Sequence, residues 1–91
     1  MKYEIKRTKQ FRNDVKRMLK RGKDIERLLA IVEMLATDQT LPPANRDHAL
    51  SGYYAGYREC HIEPDWLLVY RKHASVLLLT LLRTGTHSDL F

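Results

Sequence analysis

The 91-residue chain is 44% hydrophobic and 30% charged, an ordinary globular balance that excludes wholesale disorder, and its length predicts one domain over residues 1–91. Its single cysteine, Cys60, excludes an intramolecular disulfide or a CxxC zinc site and favours a reducing cytoplasm. No secretory signal and no apolar run long enough to span a bilayer is visible, so we expect a cytoplasmic protein with no membrane partner.

The net charge of +5 is concentrated in residues 1–27, which hold 11 basic and 4 acidic side chains, whereas the remaining residues hold 5 and 7. A basic surface attracts polyanions because binding releases their counterions. The charge pattern leaves two other readings open. It is also compatible with a solvated helix face or with a surface for an acidic protein partner.

The first half of the chain predicts a strand followed by a helical hairpin. Residues 1–7 alternate like a strand, and Thr8 is a candidate N-cap for a helix to about Arg21, with Gly22 in the left-handed position beyond its end. A second helix is expected from Lys23 or Asp24 to Ala36. The helical period predicts two buried stripes, formed by Phe11, Val15, Met18 and Leu19 and by Ile25, Leu28, Leu29, Ile31, Val32 and Leu35.

The second half predicts a sheet after a long connection. Residues 37–54 are rich in Pro, Asn, Asp and Gly, and a connection this long is usually functional or ordered by a partner. Residues 57–62, 66–70 and 76–82 predict three strands in an antiparallel meander. The expected fold class is α+β: an N-terminal strand, a two-helix hairpin packed on one face, and one twisted, mainly antiparallel sheet.

Side chains suited to RNA cleavage collect in the loop and at the strand ends. Transesterification requires a base for the 2′-hydroxyl, a cation for the phosphorane and an acid for the leaving 5′-oxygen, and imidazoles can serve as acid and base near neutral pH. Aromatic rings can hold an unstacked base. Across the turn of the meander, His61 and Asp65 can lie close together. The full set of candidates is His48, His61, Asp65, Trp66, Arg83, His87 and Phe91.

Each candidate also has a structural explanation. His48 could bond to Asp47, Trp66 and Phe91 could pack on the core, Arg83 could form a surface salt bridge, and Asp65 could be a turn former. A zinc site is conceivable, but the histidines lack a compact ligand spacing, and Cys60 should point to the sheet face opposite His61. The sequence therefore favours chemistry without a metal or another cofactor.

Three segments resemble one known family. Residues 47–52 resemble the D-H-x-L-x-G segment of YafQ-type toxins in the RelE superfamily. Residues 56–66 resemble their G-Y-R-(D/E)-x-H-(I/V)-x-P-D-W segment, and residues 83–91 resemble their R-T-G-T-H-x-x-L-F ending. Order and spacing agree over essentially the full chain, and three linked motifs are far more specific than any single histidine.

The resemblance implies a ribosome-dependent endoribonuclease that cuts mRNA and is silenced, in a type II toxin–antitoxin module, by a DinJ- or RelB-like antitoxin in a hetero-oligomer. It implies that His48 and His61 are acid/base and phosphate-contacting residues, and that His87 is the general acid. It further implies that Asp65 orients a histidine, that Arg83 clamps phosphate, and that Trp66 and Phe91 position the substrate.

Two functions of other classes remain open from the sequence. ParE-like toxins of the same superfold inhibit DNA gyrase by binding, and fold alone does not separate them from nucleases. The set of His48, His61 and His87 favours the nuclease, because a gyrase binder needs no acid/base groups. A plain nucleic-acid or ribosome-binding module, in which the histidines are incidental, is the second alternative.

Overall fold

The structure is a computed structural model that describes residues 2–91. The α+β class is confirmed, but the described residues form five strands and three helices rather than the four strands and two helices expected. In chain order the elements are β1 (Glu4–Arg7), α1 (Lys9–Lys20), α2 (Ile25–Ala36), β2 (His48–Ala49), β3 (Arg58–Glu63), β4 (Trp66–His73), β5 (Leu78–Gly85) and α3 (His87–Leu90). None of the helices in residues 2–91 is long and apolar enough to cross a membrane.

The helical hairpin begins and ends at the residues that the capping pattern predicts. The Thr8 hydroxyl oxygen accepts a hydrogen bond from the Phe11 amide at 3.0 Å and caps α1. Gly22 follows α1 with a φ of +80°, a left-handed conformation that glycine adopts without a steric penalty. The Asp24 carboxylate caps α2 by accepting from the Glu26 amide at 3.0 Å.

The five strands form one mixed sheet in the order β1-β5-β4-β3-β2. The expected meander of β3, β4 and β5 is present with antiparallel pairing, and β1 pairs with β5 in parallel. The predicted strand over residues 1–7 is observed over Glu4–Arg7, while Met1 lies outside the described residues. The parallel pairing is possible because α1 and α2, with the strands that follow, carry the chain back across the sheet between β1 and β5.

Two segments expected to be irregular are regular. His48 and Ala49, inside the long connection, form a short strand that pairs with β3, and the C-terminal tail after Gly85 forms α3. The last strand starts at Leu78 rather than at Val76. Residues 74–76 form a 3-10 turn that leaves Val76 68% exposed, and Leu77 takes a left-handed φ of +50°.

The main core lies between the helical hairpin and the sheet, and it contains Phe11, Met18, Leu28, Trp66 and Tyr70 among its buried residues. Leu19 and Leu29, which the helical period placed in the buried stripes, are 53% and 48% exposed. Both lie at the margin of the stripe, where the neighbouring elements do not reach them. A smaller apolar cluster around Leu67, Val69 and Leu90 lies on the opposite face of the sheet, because successive strand residues point to opposite faces.

A buried carboxylate joins α1 to β5. Asp14 has no exposed surface, and it accepts hydrogen bonds from Arg17 at 2.6 Å, from Arg83 Nε at 2.8 Å and from the Thr84 amide at 3.1 Å. A buried charge is tolerated only when it is paired and hydrogen-bonded. Asp14 therefore fixes the first helix on the sheet and also fixes the Arg83 side chain.

Candidate active site

The histidines of β2 and β3 meet across a shared carboxylate. His48 on β2 lies opposite Glu59 on β3, with its Nε2 3.8 Å from Glu59 Oε1. His61, two residues further along β3 and so on the same face, places its Nε2 3.4 Å from the same oxygen. Glu59 is only 5% exposed. Glu59 is therefore a buried carboxylate that lies between the two imidazoles.

Backbone carbonyls fix the orientation of both rings. His48 Nδ1 donates to the Arg46 carbonyl at 2.7 Å, and His61 Nδ1 donates to the Pro64 carbonyl at 3.1 Å. Because a carbonyl can only accept, each Nδ1 carries a proton, and each Nε2 faces Glu59. The bond to Asp47 that the sequence suggested for His48 is absent from the described residues, since Asp47 accepts from Tyr70 and Arg58 instead.

His87 is oriented by Asp65 at the first turn of α3. The His87 amide and its Nδ1 both donate to Asp65 Oδ1, at 3.0 and 2.7 Å. The backbone bond, and then the side-chain bond, hold the pKa of Asp65 below its usual value. Asp65 therefore remains an ionised acceptor near neutral pH, and His87 Nε2 is directed away from it. The predicted pairing of Asp65 with a histidine is thus present, but the partner is His87.

The C-terminal helix is anchored at both of its ends. Thr86 and Asp89 form a capping box, and Arg21, the C-cap residue of α1, donates to both carboxylate oxygens of Asp89 at 2.6 and 3.0 Å. The guanidinium of Arg21 is the main reason that the pKa of Asp89 is strongly lowered. Gly85 is required before this helix, because a Cβ there would lie 2.9 Å from the Asp89 side chain. These contacts place the His87 ring 5.8 Å from the His61 ring.

Glu59 is a site residue that the sequence interpretation did not single out. It alternates with His61 on β3, and this i, i+2 spacing was the available signal. Glu59, His61 and His87 offer one ligand atom each within 4.8 Å of one another. Carboxylate oxygen and imidazole nitrogen are ligands that Zn²⁺ accepts, so this group could hold a metal ion after a small contraction. Cys60 points into the core on the other face, as the alternation predicted.

The structure contradicts the assignment of Trp66 as a residue that contacts substrate. Trp66 has no exposed surface, and its indole Nε1 donates to the buried Thr84 hydroxyl at 2.9 Å. That hydroxyl donates in turn to the Leu67 carbonyl at 2.7 Å. A ring enclosed in this way cannot stack on a nucleotide base. Trp66 lies on the sheet face that packs against the helices. Its side chain therefore supports β4 and β5 from within the core.

Arg83 and Phe91 are placed beside the histidines in different ways. Arg83 donates to Asp14 through Nε and Nη2, and its side chain is 19% exposed. Phe91 is 60% exposed, and its amide donates to the His87 carbonyl at 2.8 Å. Its ring contacts Tyr54 edge-on, with the centroids 5.5 Å apart. Phe91 therefore has the exposure that a substrate-contacting ring needs, whereas Arg83 can offer only the donors that Asp14 does not use.

The helical hairpin presents cations around an apolar groove. Phe11, Val15, Leu28 and Leu29 form the floor of a groove of about 360 Å³. Its rim carries the basic side chains of Arg7, Arg12 and Lys16. In the described residues these three form no ion pair, whereas Arg17, Arg21, Lys23 and Arg27 are paired with carboxylates. Three basic side chains that form no ion pair within the described residues thus surround the groove.

Residues 3–91 match the family model described as the bacterial toxin of type II toxin–antitoxin system, YafQ. The mRNA interferase toxin YafQ of Escherichia coli K12 is 40% identical over 89 residues, which cover 97% of this chain and 95% of the relative. The crystal structure of the E. coli DinJ–YafQ complex matches at 39% identity and a TM-score of 0.90, covering 100% of this chain and 99% of the other. A metal-bound toxin from Helicobacter pylori matches at 43% identity and a TM-score of 0.91, covering both chains fully. The matched range and these identities establish that the chain belongs to the YafQ family of bacterial type II toxins.

Proposed function

We propose that this chain is an endoribonuclease that cuts mRNA on the ribosome by metal-free transesterification and that an antitoxin silences it. The single observation that carries the proposal is the His87–Asp65 pair, with Nδ1 at 2.7 Å from the carboxylate, beside the His61–Glu59 pair. The E. coli relative is named an mRNA interferase, which supports the same reaction class. An acid and a base on opposite sides of one phosphate are what the reaction requires.

The roles follow from which atoms remain available. The Asp65 carboxylate holds Nδ1 of His87, so Nε2 is the atom that can protonate the leaving 5′-oxygen. His61 and His48, whose Nε2 atoms face Glu59, are the candidates for accepting the 2′-hydroxyl proton and for contacting the phosphate. Arg83 would add its remaining donors to the charge that develops on the phosphorane.

Ribosome dependence follows from how little of the surface is built to hold RNA. Six basic side chains of β1 and α1 form no ion pair in residues 2–91, and we expect them to contact ribosomal RNA phosphates. Phosphate contacts give affinity and orientation without sequence information. The ribosome would then supply the bound mRNA in the required geometry. Free RNA lacks that help, so we expect it to be a poor substrate.

The metal-bound relative from H. pylori bears on the mechanism, because Glu59, His61 and His87 could hold an ion here as well. A bound ion would occupy the imidazole lone pairs that proton transfer needs, since only a deprotonated nitrogen can ligate. We therefore assign the group to proton transfer and expect a transition metal to inhibit. A chelator of transition metals that spares Mg²⁺ should leave the cleavage rate unchanged.

The apolar groove on the helical hairpin fits an antitoxin segment. The E. coli relative was solved in complex with DinJ. An amphipathic segment could lay its apolar side on Val15, Leu28 and Leu29, and its acidic residues would pair with Arg12 and Lys16. A domain of this size buries a limited fraction of its surface alone, so coverage by a partner would add stability and block ribosome docking.

Leu29→Asp tests the groove, and Leu19→Asp is its matched control. Both leucines are about half exposed, at 48% and 53%, but only Leu29 lines the groove. We expect L29D to weaken binding of the cognate antitoxin at least tenfold, because it places a charge against apolar surface, and L19D to leave it unchanged. Titration calorimetry measures both. Equal affinities for L29D and the unmodified chain would place the antitoxin elsewhere.

The function itself is tested with purified ribosomes programmed with a short mRNA. We expect cuts in the codon held in the decoding site, and at least a hundredfold slower cutting of the same RNA without ribosomes, because positioning is lost. The products should carry the cyclic phosphate that transesterification leaves. Equal cutting of free RNA would contradict ribosome dependence. DNA breaks through gyrase, with no RNA cuts, would instead support the ParE-like alternative.

A further inference from the structure

A row of three aromatic rings leads away from the histidines, and two of them, Tyr53 and Phe91, are exposed. Tyr53 is 95% exposed, although tyrosine normally gains from burying its ring. Its ring contacts Tyr54 edge-on with the centroids 5.1 Å apart, and Tyr54 contacts Phe91 in the same way. The three rings thus form a continuous array at the surface of the sheet face that carries His61 and His87.

The array is joined to the reaction centre at two points. Phe91 follows His87 by one helical turn, and its amide is bonded to the His87 carbonyl. Tyr54 lies beside Arg83, whose pKa is raised first by the hydrogen bond to Asp14 and also by the neighbouring Tyr54 hydroxyl. Tyr54 also packs on the small apolar cluster of Leu67, Val69 and Leu90, which fixes its ring. The aromatic array is therefore joined directly to the side chains that would contact the scissile phosphate.

Tyr53 and Phe91 belong to neither the main nor the smaller apolar cluster of residues 2–91, and Tyr53 is the more exposed of the two. It lies in a 3-10 turn that begins at Gly52, whose φ is +64°. The turn carries the ring outward rather than toward the core. An exposed ring held at a fixed position beside a phosphate-binding site suits stacking on an unpaired nucleobase, because every base offers a π-face.

We propose that Tyr53 and Tyr54 extend the site of Phe91 into a stacking platform for nucleobases of the mRNA next to the cleaved bond. This inference rests on the proposed function, and it adds the substrate contacts that the histidines do not provide. Stacking tolerates any base, so the platform would hold the splayed strand without selecting a sequence. Tyr54, which is packed, would serve as its base, and Tyr53 would take the outermost nucleotide.

The experiment compares Tyr53→Ala with Tyr53→Phe on programmed ribosomes under single-turnover conditions. Both changes lie at an exposed position, so neither should disturb folding. Loss of a stacked base by alanine substitution weakens binding roughly tenfold, and we expect the toxin concentration for half-maximal rate to rise by about that factor in Y53A. In Y53F, which keeps the π-face, it should stay within about twofold. The limiting rate should be unchanged in both variants.

An abasic nucleotide in the mRNA identifies the contact. Placed at the stacked position, it should weaken the unmodified toxin and leave Y53A unaffected, so the two become equal. If Y53A matches the unmodified toxin while cuts persist, the platform is wrong and the nuclease stands. If the unmodified toxin makes no cuts, the proposed function fails, and the platform is then tested by binding of a 2′-O-methyl RNA trinucleotide. Equal affinities of the toxin and Y53A for this RNA would overturn the platform, whereas weaker binding by Y53A would support it.

Discussion

Substitution of His87 by alanine should lower the rate of mRNA cleavage by about 10² to 10⁴-fold, which is the usual contribution of a general acid. His87 is the site histidine with the greatest exposure, 55% of its side chain, and Asp65 fixes its ring through Nδ1. Removing an exposed ring should leave the fold intact. The rate is measured with saturating toxin on programmed ribosomes, so that weaker docking does not contribute to the loss.

The pH dependence separates loss of the acid from a general disturbance. A general acid loses its proton as the pH rises, which produces the alkaline limb of the pH–rate profile. That limb should be absent in H87A. Asp65 does not supply the proton instead, because the backbone amide of residue 87, which is the largest cause of the lowered pKa of Asp65, still donates to it in H87A. The residual cleavage rate of H87A should therefore not fall as the pH rises through the alkaline limb of the unmodified toxin.

His73→Ala is the matched control for H87A. His73 is the last residue of β4, whereas Trp66 is the first, so His73 lies at the far end of the strand from Asp65. It forms no ion pair within the described residues. Its removal should leave the cleavage rate unchanged. An unaltered rate in H87A, or an equal loss in H73A, would show that His87 does not act as the general acid.

Replacement of Asp14 by alanine should lower the free energy of unfolding by roughly 1–3 kcal/mol, the cost of leaving the buried Thr84 amide without its acceptor, because Arg17 and Arg83 keep access to solvent. Arg83 would lose both bonds that hold it, and the buried Thr84 amide would lose its acceptor. A domain of this size has about 5–15 kcal/mol in total, so the loss should be readily measurable. Urea denaturation followed by far-ultraviolet circular dichroism measures the change.

Two further variants decide the cause of that loss. Asp38→Asn removes a carboxylate that is paired with Lys72 at the surface, and it should leave the urea midpoint unchanged because solvent screens that pair. The double variant D14L/R83M replaces both partners of the ion pair with apolar side chains and should recover part of the loss. A midpoint for D14A equal to that of D38N would mean that Asp14 does not stabilise the fold.

The sequence was informative wherever the signal is local. Thr8, Gly22 and Asp24 mark the ends of the helices because capping depends on residues within one turn of each other. The three motifs indicated His48, His61 and His87 before any geometry was known, because their order and spacing lie along the chain itself. The errors at Leu19 and Leu29 have the same origin. A helical period gives the apolar side of a helix but not the width that a neighbouring element covers.

The tertiary structure alone decided which side chains act together. Asp14 and Arg83 are 69 residues apart, and no local pattern shows that the arginine is held by a buried carboxylate. Trp66 and Phe91 looked equally suited to contact substrate, and only the packing of the sheet enclosed one ring and left the other exposed. The same packing placed Glu59 between His48 and His61 and brought His87 Nδ1 within hydrogen-bond distance of Asp65. The sequence by itself thus determined which residue types and which elements are present. Long-range packing determined which side chains are buried and which are paired, and so the chemistry of the site, because burial and pairing depend on neighbours that are remote in sequence.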